Sequence, residues 1–317
     1  MRRTLLPLLI CSALLAATGG PASAAYRIGI SDQQPSTFTN PLFAPLKTTL
    51  ARYVTPWDVM YRASYRSQLT AWINAAVAAG QRPLIAFETS HTKGHERKAP
   101  TSVQYTKAIK RFHTAFPEVK DIQAWNEVNR CQSQKSGGYV IGQPICRKPK
   151  MAALYYLAAR RVFKGAKITG LDILDGKNIN GKDVSYAIPY IRAFLKYAKP
   201  RPQLWGIHNY ADTNRFSSSR TKALLKATGS GQVWLTETGG IVSLGKNFPY
   251  STKRAAKALG CTFTLAKSSK RITRIYIYSF NGIKKGTAFD AGLINPDNTL
   301  RPGYNVVKNR KAGRCHK

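Results

Sequence analysis

Acidic residues and cysteines are both scarce in this sequence. The 317-residue chain has 14 Asp and Glu against 50 Lys and Arg, a formal net charge of +36. Its five cysteines are too few for a disulfide scaffold to replace a hydrophobic core. No fixed repeat period occurs, which excludes a solenoid or a propeller. Hydrophobic residues make up 43% of the chain and aromatics 10%, which is enough for a sizeable core and excludes a disordered protein.

Long apolar runs are also missing beyond the N-terminus, so we predict no membrane span there. The N-terminus has the pattern of a secretory signal peptide. Two arginines precede the apolar stretch 5–17, and the small residues 22–24 fit a cleavage site. We therefore expect residues 1–24 to be removed and residues 25–317 to form an exported chain, either extracellular or associated with the cell wall.

Export changes how the cysteines are interpreted. Cys11 would leave with the signal, and four cysteines would remain in an oxidising compartment. We predict that Cys131 pairs with Cys146, which closes a local loop, and that Cys261 pairs with Cys315, which ties down the tail. The alternative is a zinc site, but the chain has no C-x-x-C motif and no nearby His pair. We predict no metal and no cofactor.

The excess of positive charge would attract a polyanion. Lys and Arg are spread along the whole chain, and they are densest at 93–98, 147–150, 267–274 and 308–317. Because no helix-turn-helix, finger or ribonucleoprotein motif accompanies them, we predict no nucleic-acid binding. Two interpretations stay open: a solvated basic surface without a partner, or electrostatic association with anionic cell-wall or matrix polymers.

Short apolar strands alternate with amphipathic helical stretches along the chain. Helical spacing is seen, for example, in Leu69, Trp72, Ile73 and Ala76. Several predicted strands are near-continuous apolar runs, which is typical of parallel strands covered on both faces. The eight predicted strands are 26–31, 53–57, 83–88, 122–126, 167–173, 204–210, 233–237 and 274–280.

Eight strands with seven clear helical crossovers predict an α/β fold, a single-domain (β/α)₈ TIM barrel over 25–317. A doubly wound open sheet is the alternative. It usually has fewer strands and a glycine-rich phosphate turn after the first one, and no such turn follows strand one here.

A barrel of this kind places its active site at the carboxyl ends of the strands. Polar motifs stand at three of these ends: WNEVN (125–129) at the fourth, HNY (208–210) at the sixth and WLTETG (234–239) at the seventh. Carboxylates concentrate at the same rim although acids are few. They are Asp32, Asp58, Glu88, Glu127, Asp172, Asp175 and Glu237.

These motifs resemble those of the retaining glycoside hydrolases of clan A, the 4/7 superfamily. In that clan an Asn-Glu ends strand four, a His-x-Tyr ends strand six and a Glu ends strand seven. The segment from 289 to 302 is similar to the closing segment of many actinobacterial members. The resemblance covers essentially the whole mature chain.

The resemblance implies a role for each matched residue. Glu127 would be the acid/base and Glu237 the nucleophile. Asn126 would donate a hydrogen bond to the 2-hydroxyl of the sugar. His208 would orient the acid/base, and Tyr210 would donate to the nucleophile and favour its ionised form.

The chemistry independently requires two facing carboxyl groups. Retaining enzymes hold them about 5–5.5 Å apart, and inverting enzymes about 6.5–9.5 Å apart. Strands four and seven face each other across a barrel mouth, so Glu127 and Glu237 can approach a sugar from opposite sides. Further sugar contacts are expected from Glu88 and from the aromatic faces of Trp57 and Phe280, because sugar rings stack on aromatic side chains.

Two positions depart from the clan pattern. Many members end strand eight with a Trp, whereas this chain has YSF (278–280), and Phe280 is the candidate replacement. Many members also have an Arg at the end of strand two. This chain has PWD (56–58) there, with Arg62 just beyond.

The sequence thus predicts a secreted retaining glycoside hydrolase, an endo-acting β-glycanase that acts on a polysaccharide as a monomer. Glucan, xylan, mannan, galactan and arabinose-containing polymers all stay open as substrates. The alternative is a carbohydrate-binding, wall-associated barrel that has lost activity. Such a barrel would be expected to lose one of its two glutamates, and Glu127 and Glu237 are both present.

Overall fold

The structure is a computed structural model that describes residues 26–131, 135–136, 139–140, 142–176, 179–285 and 289–315. The predicted signal peptide, including Cys11, lies outside these ranges. Thirteen strands are present among the described residues: β1 (Arg27–Ser31), β2 (Leu50–Pro56), β3 (Arg82–Glu88), β4 (Asp121–Gln123), β5 (Lys135–Ser136), β6 (Tyr139–Val140), β7 (Lys167–Thr169), β8 (Asp172–Leu174), β9 (Leu204–His208), β10 (Gln232–Thr238), β11 (Ser243–Leu244), β12 (Ile272–Tyr278) and β13 (Phe289–Asp290).

Eight α-helices alternate with these strands in the described part of the chain. They are α1 (Ala63–Ala78), α2 (Ser102–Ala115), α3 (Pro149–Val162), α4 (Ala187–Tyr197), α5 (Tyr210–Arg215), α6 (Ser219–Ala227), α7 (Thr252–Lys267) and α8 (Pro302–Lys308). The first, α1, buries the predicted stripe of Leu69, Trp72, Ile73 and Ala76. Among the described helices, none is both long and apolar enough to cross a membrane.

Nine strands form one parallel sheet in the order β7-β4-β3-β2-β1-β12-β10-β9-β8. The two ends of this order, β7 and β8, are the two halves of the predicted fifth strand, so the sheet curls into a nearly closed barrel. The break falls at Gly170, where a Cβ atom would clash with the ring of Pro202. The (β/α)₈ barrel predicted from the sequence is confirmed.

The ends of several strands differ from the prediction. The strand β2 begins at Leu50, three residues earlier than predicted. Three others stop two or three residues earlier than predicted: β4 ends at Gln123, β9 at His208 and β12 at Tyr278. The polar residues after these ends therefore lie on loops or on the first turn of a helix, above the sheet.

An apolar plug fills the barrel interior toward the amino ends of its strands. It consists of one large side chain from each of five strands: Leu50, Leu84, Leu204, Trp234 and Tyr276. The polar interior residues nearer the carboxyl ends of the strands form a separate layer.

Both predicted disulfides are present. Cys131 and Cys146 are bonded with their Cα atoms 5.2 Å apart, and Cys261 and Cys315 with their Cα atoms 4.8 Å apart. The first bond closes the loop after β4, at the barrel mouth. The second joins α7 to the C-terminal tail on the outside of the barrel.

Candidate active site

A buried arginine organises the polar layer at the mouth. Arg52 extends from β2 into the barrel, and its side chain is fully buried. Its guanidinium reaches acceptors on five segments of the barrel: Ser31 Oγ (3.1 Å), Gln123 Oε1 (2.5 Å), Asn126 Oδ1 (2.7 Å), Asp172 Oδ2 (3.1 Å) and Glu237 Oε2 (2.6 Å). A single planar fork thus fixes residues from both sides of the mouth.

Sequence reasoning missed Arg52. An arginine was expected after strand two, whereas Arg52 lies inside β2. The predicted strand began at Tyr53 and left Arg52 in the preceding loop. A usable signal was present, because an arginine within the apolar run 50–54 is buried only where counter-charges meet it. Arg62, by contrast, lies 3.5 Å from Asp58 and is 40% exposed.

Glu237 lies near the end of β10 and is held from two sides. One carboxylate oxygen accepts from Arg52, and the other accepts from the Tyr210 hydroxyl at 3.0 Å. Tyr210 begins the short helix α5 directly after β9, and Glu237 is in register with His208 of that strand. The contact predicted between Tyr210 and Glu237 is therefore present.

Glu127 follows β4 in the left-handed region, with φ of 42°. Such a conformation costs a non-glycine residue about 1–3 kcal/mol and needs support from its surroundings. The flanking backbone supplies it. The amide of Asn126 donates to the Phe87 carbonyl at 2.6 Å, and the amide of Val128 donates to the Asp172 carbonyl at 3.1 Å.

Two cationic side chains face the Glu127 carboxylate. His208 Nδ1 is 3.0 Å from Oε1, and Arg130 Nε is 2.7 Å from Oε2. Burial raises the pKa of Glu127, but Arg130 and His208 oppose it, and the net pKa is lowered.

His208 lies between two acids and is fully buried. Its Nε2 is 3.0 Å from Asp172 Oδ2, opposite the contact of Nδ1 with Glu127. Burial lowers the pKa of His208, but Asp172, Glu237 and Glu127 outweigh that effect and raise the pKa to about 10. The ring is therefore an imidazolium at neutral pH and donates from both nitrogens.

Asp172 is the anion that fixes His208 and Arg52. Its burial raises the pKa, but His208, Arg52 and Thr236 lower it to about 2. Space for this carboxylate depends on Gly206, since a Cβ there would lie 2.6 Å from Asp172 Oδ1. Asp172 was predicted to lie at the rim, but no function was predicted for it.

The two candidate catalytic glutamates are close together. One oxygen of Glu127, one oxygen of Glu237 and one nitrogen of His208 all lie within 4.8 Å of one another. These are the residues that would offer ligands to a cation. The donor set does not fit one, because Arg52 and Arg130 already contact the carboxylates and both nitrogens of His208 face acids.

Asn126 and Glu88 form the next part of the cleft. Because the Asn126 carbonyl accepts from Arg52, its amide nitrogen is turned toward the cleft and lies 3.5 Å from Glu88 Oε2. Glu88 is also 2.8 Å from His91 Nε2. Burial raises the pKa of Glu88, but His91, Arg130 and Asn126 lower it overall.

The aromatic residues of the mouth differ from the prediction at strand eight. Phe280 is fully buried and packs edge-on against Phe43 at 5.8 Å, so it belongs to the core and we assign it no sugar contact. Tyr278, at the end of β12, stands in the polar layer instead. Burial and the charge of Glu237 raise the pKa of its hydroxyl. Tyr278 shares the inward face of β12 with Tyr276, and this period of two was the missed signal.

Trp57 directly follows β2 at the mouth, and its backbone amide donates to the Glu88 carbonyl at 2.9 Å. It lines a cavity of about 480 Å³ between the loops after β2 and β3. Tyr61, Arg62 and Lys98 contribute to the same wall. Trp57, which was predicted to contact sugar, therefore lines a cavity.

The disulfide-closed loop also supplies a residue that sequence reasoning missed. Gln143, three positions before Cys146, accepts from the Trp125 indole at 2.7 Å, and its amide nitrogen lies 3.4 Å from Glu88 Oε2. Its backbone amide donates to the Arg130 carbonyl at 2.8 Å. The loop is therefore anchored at the cleft.

Comparisons with known proteins agree with this fold. No protein-family profile and no curated protein sequence matches the chain. Among solved structures, the GH5_18 protein of Streptomyces cattleya in complex with GlcNAc is 14% identical, with a TM-score of 0.63 over 92% of this chain and 83% of that one. A GH10 endoxylanase retrieved from a sugarcane soil metagenome is 12% identical, with a TM-score of 0.64 over 90% and 96%.

The chain shares its barrel fold with glycoside hydrolases of families 39, 5, 10 and 1. A family 39 glycoside hydrolase from Bacteroides cellulosilyticus WH2 is also similar, at 15% identity and a TM-score of 0.59. This chain spans 63% of its length. Identities this low establish the (β/α)₈ barrel fold alone.

Proposed function

We propose that the protein is a secreted retaining glycoside hydrolase that cleaves β-glycosidic bonds within a polysaccharide. The observation that carries the proposal is the pair of glutamates at the mouth, with carboxylate oxygens of Glu127 and Glu237 within 4.8 Å of each other. Retaining enzymes hold their carboxyl groups about 5–5.5 Å apart, whereas inverting ones need about 6.5–9.5 Å.

In the first step, an oxygen of Glu237 attacks the anomeric carbon while the glycosidic C–O bond breaks. The departing oxygen takes a proton from Glu127, and a covalent glycosyl ester forms on Glu237. Arg52 and Tyr210 orient the attacking carboxylate. The Asn126 amide, turned outward by Arg52, is placed to donate to the 2-hydroxyl of the sugar.

In the second step, water replaces the departed sugar. Glu127, now a carboxylate, takes a proton from the water as its oxygen attacks the anomeric carbon, and the ester bond to Glu237 breaks. His208 holds Glu127 in place through both steps, because its other nitrogen is fixed by Asp172.

The proposal includes export and an endo-acting mode. The N-terminal segment 1–24 has the signal-peptide pattern, and two disulfides suit an oxidising compartment. The basic surface would hold a monomeric enzyme on anionic cell-wall or matrix polymers.

A panel of polysaccharides and aryl β-glycosides tests the proposal. The purified protein should release reducing ends from at least one polymer, and Glu127→Gln and Glu237→Gln should each lose at least about 1,000-fold in kcat on it. Glu118→Gln, which removes an exposed carboxylate, is the matched control and should keep wild-type activity. Binding without cleavage across the panel would favour the inactive carbohydrate-binding barrel instead.

A further inference from the structure

We propose that Arg130 binds an anionic group of the substrate, so that the polysaccharide cleaved here contains uronate units. The inference rests on the proposed function, because it takes Glu127 as the acid/base. It names the class of substrate for the same site and assigns a specificity-determining residue.

The contact between Arg130 and Glu127 is close but poorly aligned. Arg130 Nε lies 2.7 Å from Glu127 Oε2, yet its N–H is not directed at an acceptor. The Arg130 side chain is 25% exposed at the mouth, whereas that of Glu127 is 8% exposed. Within the described residues, Glu127 is the one carboxylate at salt-bridge distance from Arg130.

This ion pair is at odds with the chemistry proposed for Glu127. A general acid must carry a proton when substrate is bound, and two cations beside a carboxyl group disfavour the protonated form. His208 cannot withdraw, because it is fully buried and fixed by Asp172 on its far side. Arg130 is partly exposed, so it is the cation that a ligand can draw away.

A uronate carboxylate would give Arg130 a well-aligned hydrogen-bond acceptor. The guanidinium fork matches a carboxylate in two parallel hydrogen bonds, which the present contact with Glu127 does not form. Once Arg130 turns to the substrate, Glu127 keeps His208 as its cationic neighbour and retains a proton more readily. Binding of the correct substrate would thus prepare the acid.

The electrostatics of the mouth allow an acidic sugar to enter. The two catalytic carboxylates of a glycosidase cleft would ordinarily repel an acidic sugar. Here Glu88, Glu127, Asp172 and Glu237 lie among the cationic side chains of Arg52, Arg130 and His208. His91 lies 2.8 Å from Glu88. Burial lowers the pKa of His91, but Glu88 outweighs that effect and raises it.

The charge of the outer surface also favours binding of an acidic polymer. Of the 14 acidic residues, only Glu118, Asp183 and Asp297 are exposed, while 50 Lys and Arg are distributed over the chain. Next to the mouth, the cavity beside Trp57 is rimmed by Arg62, Lys98 and Lys107. Further acidic units of a chain bound at Arg130 would meet positive charge there.

The test compares Arg130→Gln with wild type on a β-linked oligosaccharide that contains uronate and on its neutral counterpart of the same linkage. Wild type should favour the acidic substrate by at least about tenfold in kcat/KM, and Arg130→Gln should lose that preference. On the neutral substrate, Arg130→Gln should be a few-fold faster above pH 7, because the basic limb of the kcat/KM profile moves upward.

Two further variants complete the design. Arg130→Lys keeps the charge but not the fork, so it should retain only part of the preference for uronate. Arg147→Gln is the matched control, since that arginine is 62% exposed and pairs with Asp183 outside the site. Thermal unfolding of each variant separates loss of fold from loss of preference.

The outcomes separate the two proposals. Equal cleavage of acidic and neutral substrates by wild type, or an equal loss on both in Arg130→Gln, would overturn the role of Arg130 and leave the glycosidase assignment standing. A protein that cleaves neither substrate, nor any member of the polysaccharide panel, would overturn both.

Discussion

At the scale of single residues, the buried charges of the mouth depend on one another. Arg52 contacts two carboxylates on different strands, Asp172 of β8 at 3.1 Å and Glu237 of β10 at 2.6 Å. His208 bridges Asp172 to Glu127. Because each of these ions has left water, removing one partner leaves an uncompensated charge in the interior.

Arg52→Met should therefore destabilise the fold strongly. Breaking a buried ion pair from one side typically costs about 3–5 kcal/mol, and we expect a loss in that range from denaturant unfolding. Arg147→Met is the control, because its partner Asp183 is 41% exposed and such pairs contribute about 0–1 kcal/mol. Similar unfolding midpoints for the two variants would contradict the network described for Arg52.

The pKa of His208 gives a pH dependence with a defined sign. The folded pKa is raised to about 10, above the unfolded value of about 6.5. Its stabilisation is therefore complete below about pH 6.5 and is lost as the pH rises toward 10. Asp172, with a folded pKa of about 2, acts in the opposite sense and loses its contribution as the pH falls from about 4 toward 2.

We expect the free energy of unfolding to fall by about 2–4 kcal/mol between pH 6.5 and pH 9. His208→Gln should flatten that slope, whereas His95→Gln, which changes an exposed histidine, should keep it. Chemical denaturation at a series of pH values measures both. A slope in His208→Gln as steep as in wild type would show that His208 is not the titrating group.

At the scale of the elements, periodicity predicted the fold but misplaced several strand ends. The helical stripe of α1 and the eight apolar runs were sufficient for the barrel. Arg52 lies just outside the predicted strand 53–57, and the predicted strand 274–280 ends on Phe280, a core residue, beyond Tyr278. The apolar run around Arg52 and the period of two shared by Tyr276 and Tyr278 indicate that both side chains point inward, but the partners that meet them come from neighbouring strands.

The candidate site was likewise predicted in part. Motifs at the ends of strands four, six and seven placed Glu127, Glu237, His208 and Tyr210 together, and the structure brings these residues into contact. Arg130 and Gln143 could not be inferred in the same way. Their positions follow from tertiary contacts beside the Cys131–Cys146 disulfide, which the sequence pattern does not contain.

The two disulfides should have different effects on activity. Replacing Cys131 and Cys146 by Ser opens a 15-residue loop and should lower stability by about 3 kcal/mol in the chain-entropy description. It should also lower activity on polymer more than on an aryl glycoside, because Gln143 and Arg130 lose their anchor.

Replacing Cys261 and Cys315 by Ser is the matched comparison. The separation of 54 residues predicts a larger loss, about 4 kcal/mol, with kinetics unchanged because this bond joins α7 to the C-terminal tail and touches none of the site residues that the structure describes. Thermal unfolding in parallel with assays on both substrates measures this. Equal kinetic effects from the two double variants would argue against an anchored loop at the cleft.

At the scale of the whole molecule, charge is segregated between interior and surface. Eight of the 14 acidic residues are buried, and four of them pair with a buried cation: Asp121, Glu127, Asp172 and Asp290. The surface therefore has a larger excess of positive charge than it would have if the acidic residues were evenly distributed between interior and surface. A field of this kind acts over a Debye length of about 8 Å at physiological ionic strength.

Retention on an acidic polymer should therefore be steeply dependent on salt. We expect the protein to bind an immobilised polyuronide at low salt and to be released by about 1 M NaCl, where the Debye length is about 3 Å. Binding to a neutral polymer of similar size should barely change. Equal retention on both polymers at low salt would mean that the basic surface has no part in binding.

The central claim concerns the two glutamates, and azide rescue of the alanine variants tests it most directly. With an activated aryl β-glycoside of the sugar that the enzyme accepts, azide should restore turnover in Glu127→Ala and give the β-glycosyl azide. In Glu237→Ala it should give the α-glycosyl azide, because azide replaces the missing nucleophile. Proton NMR of the products reads the anomeric configuration. The same configuration from both variants, or no rescue of either, would contradict the roles assigned to Glu127 and Glu237.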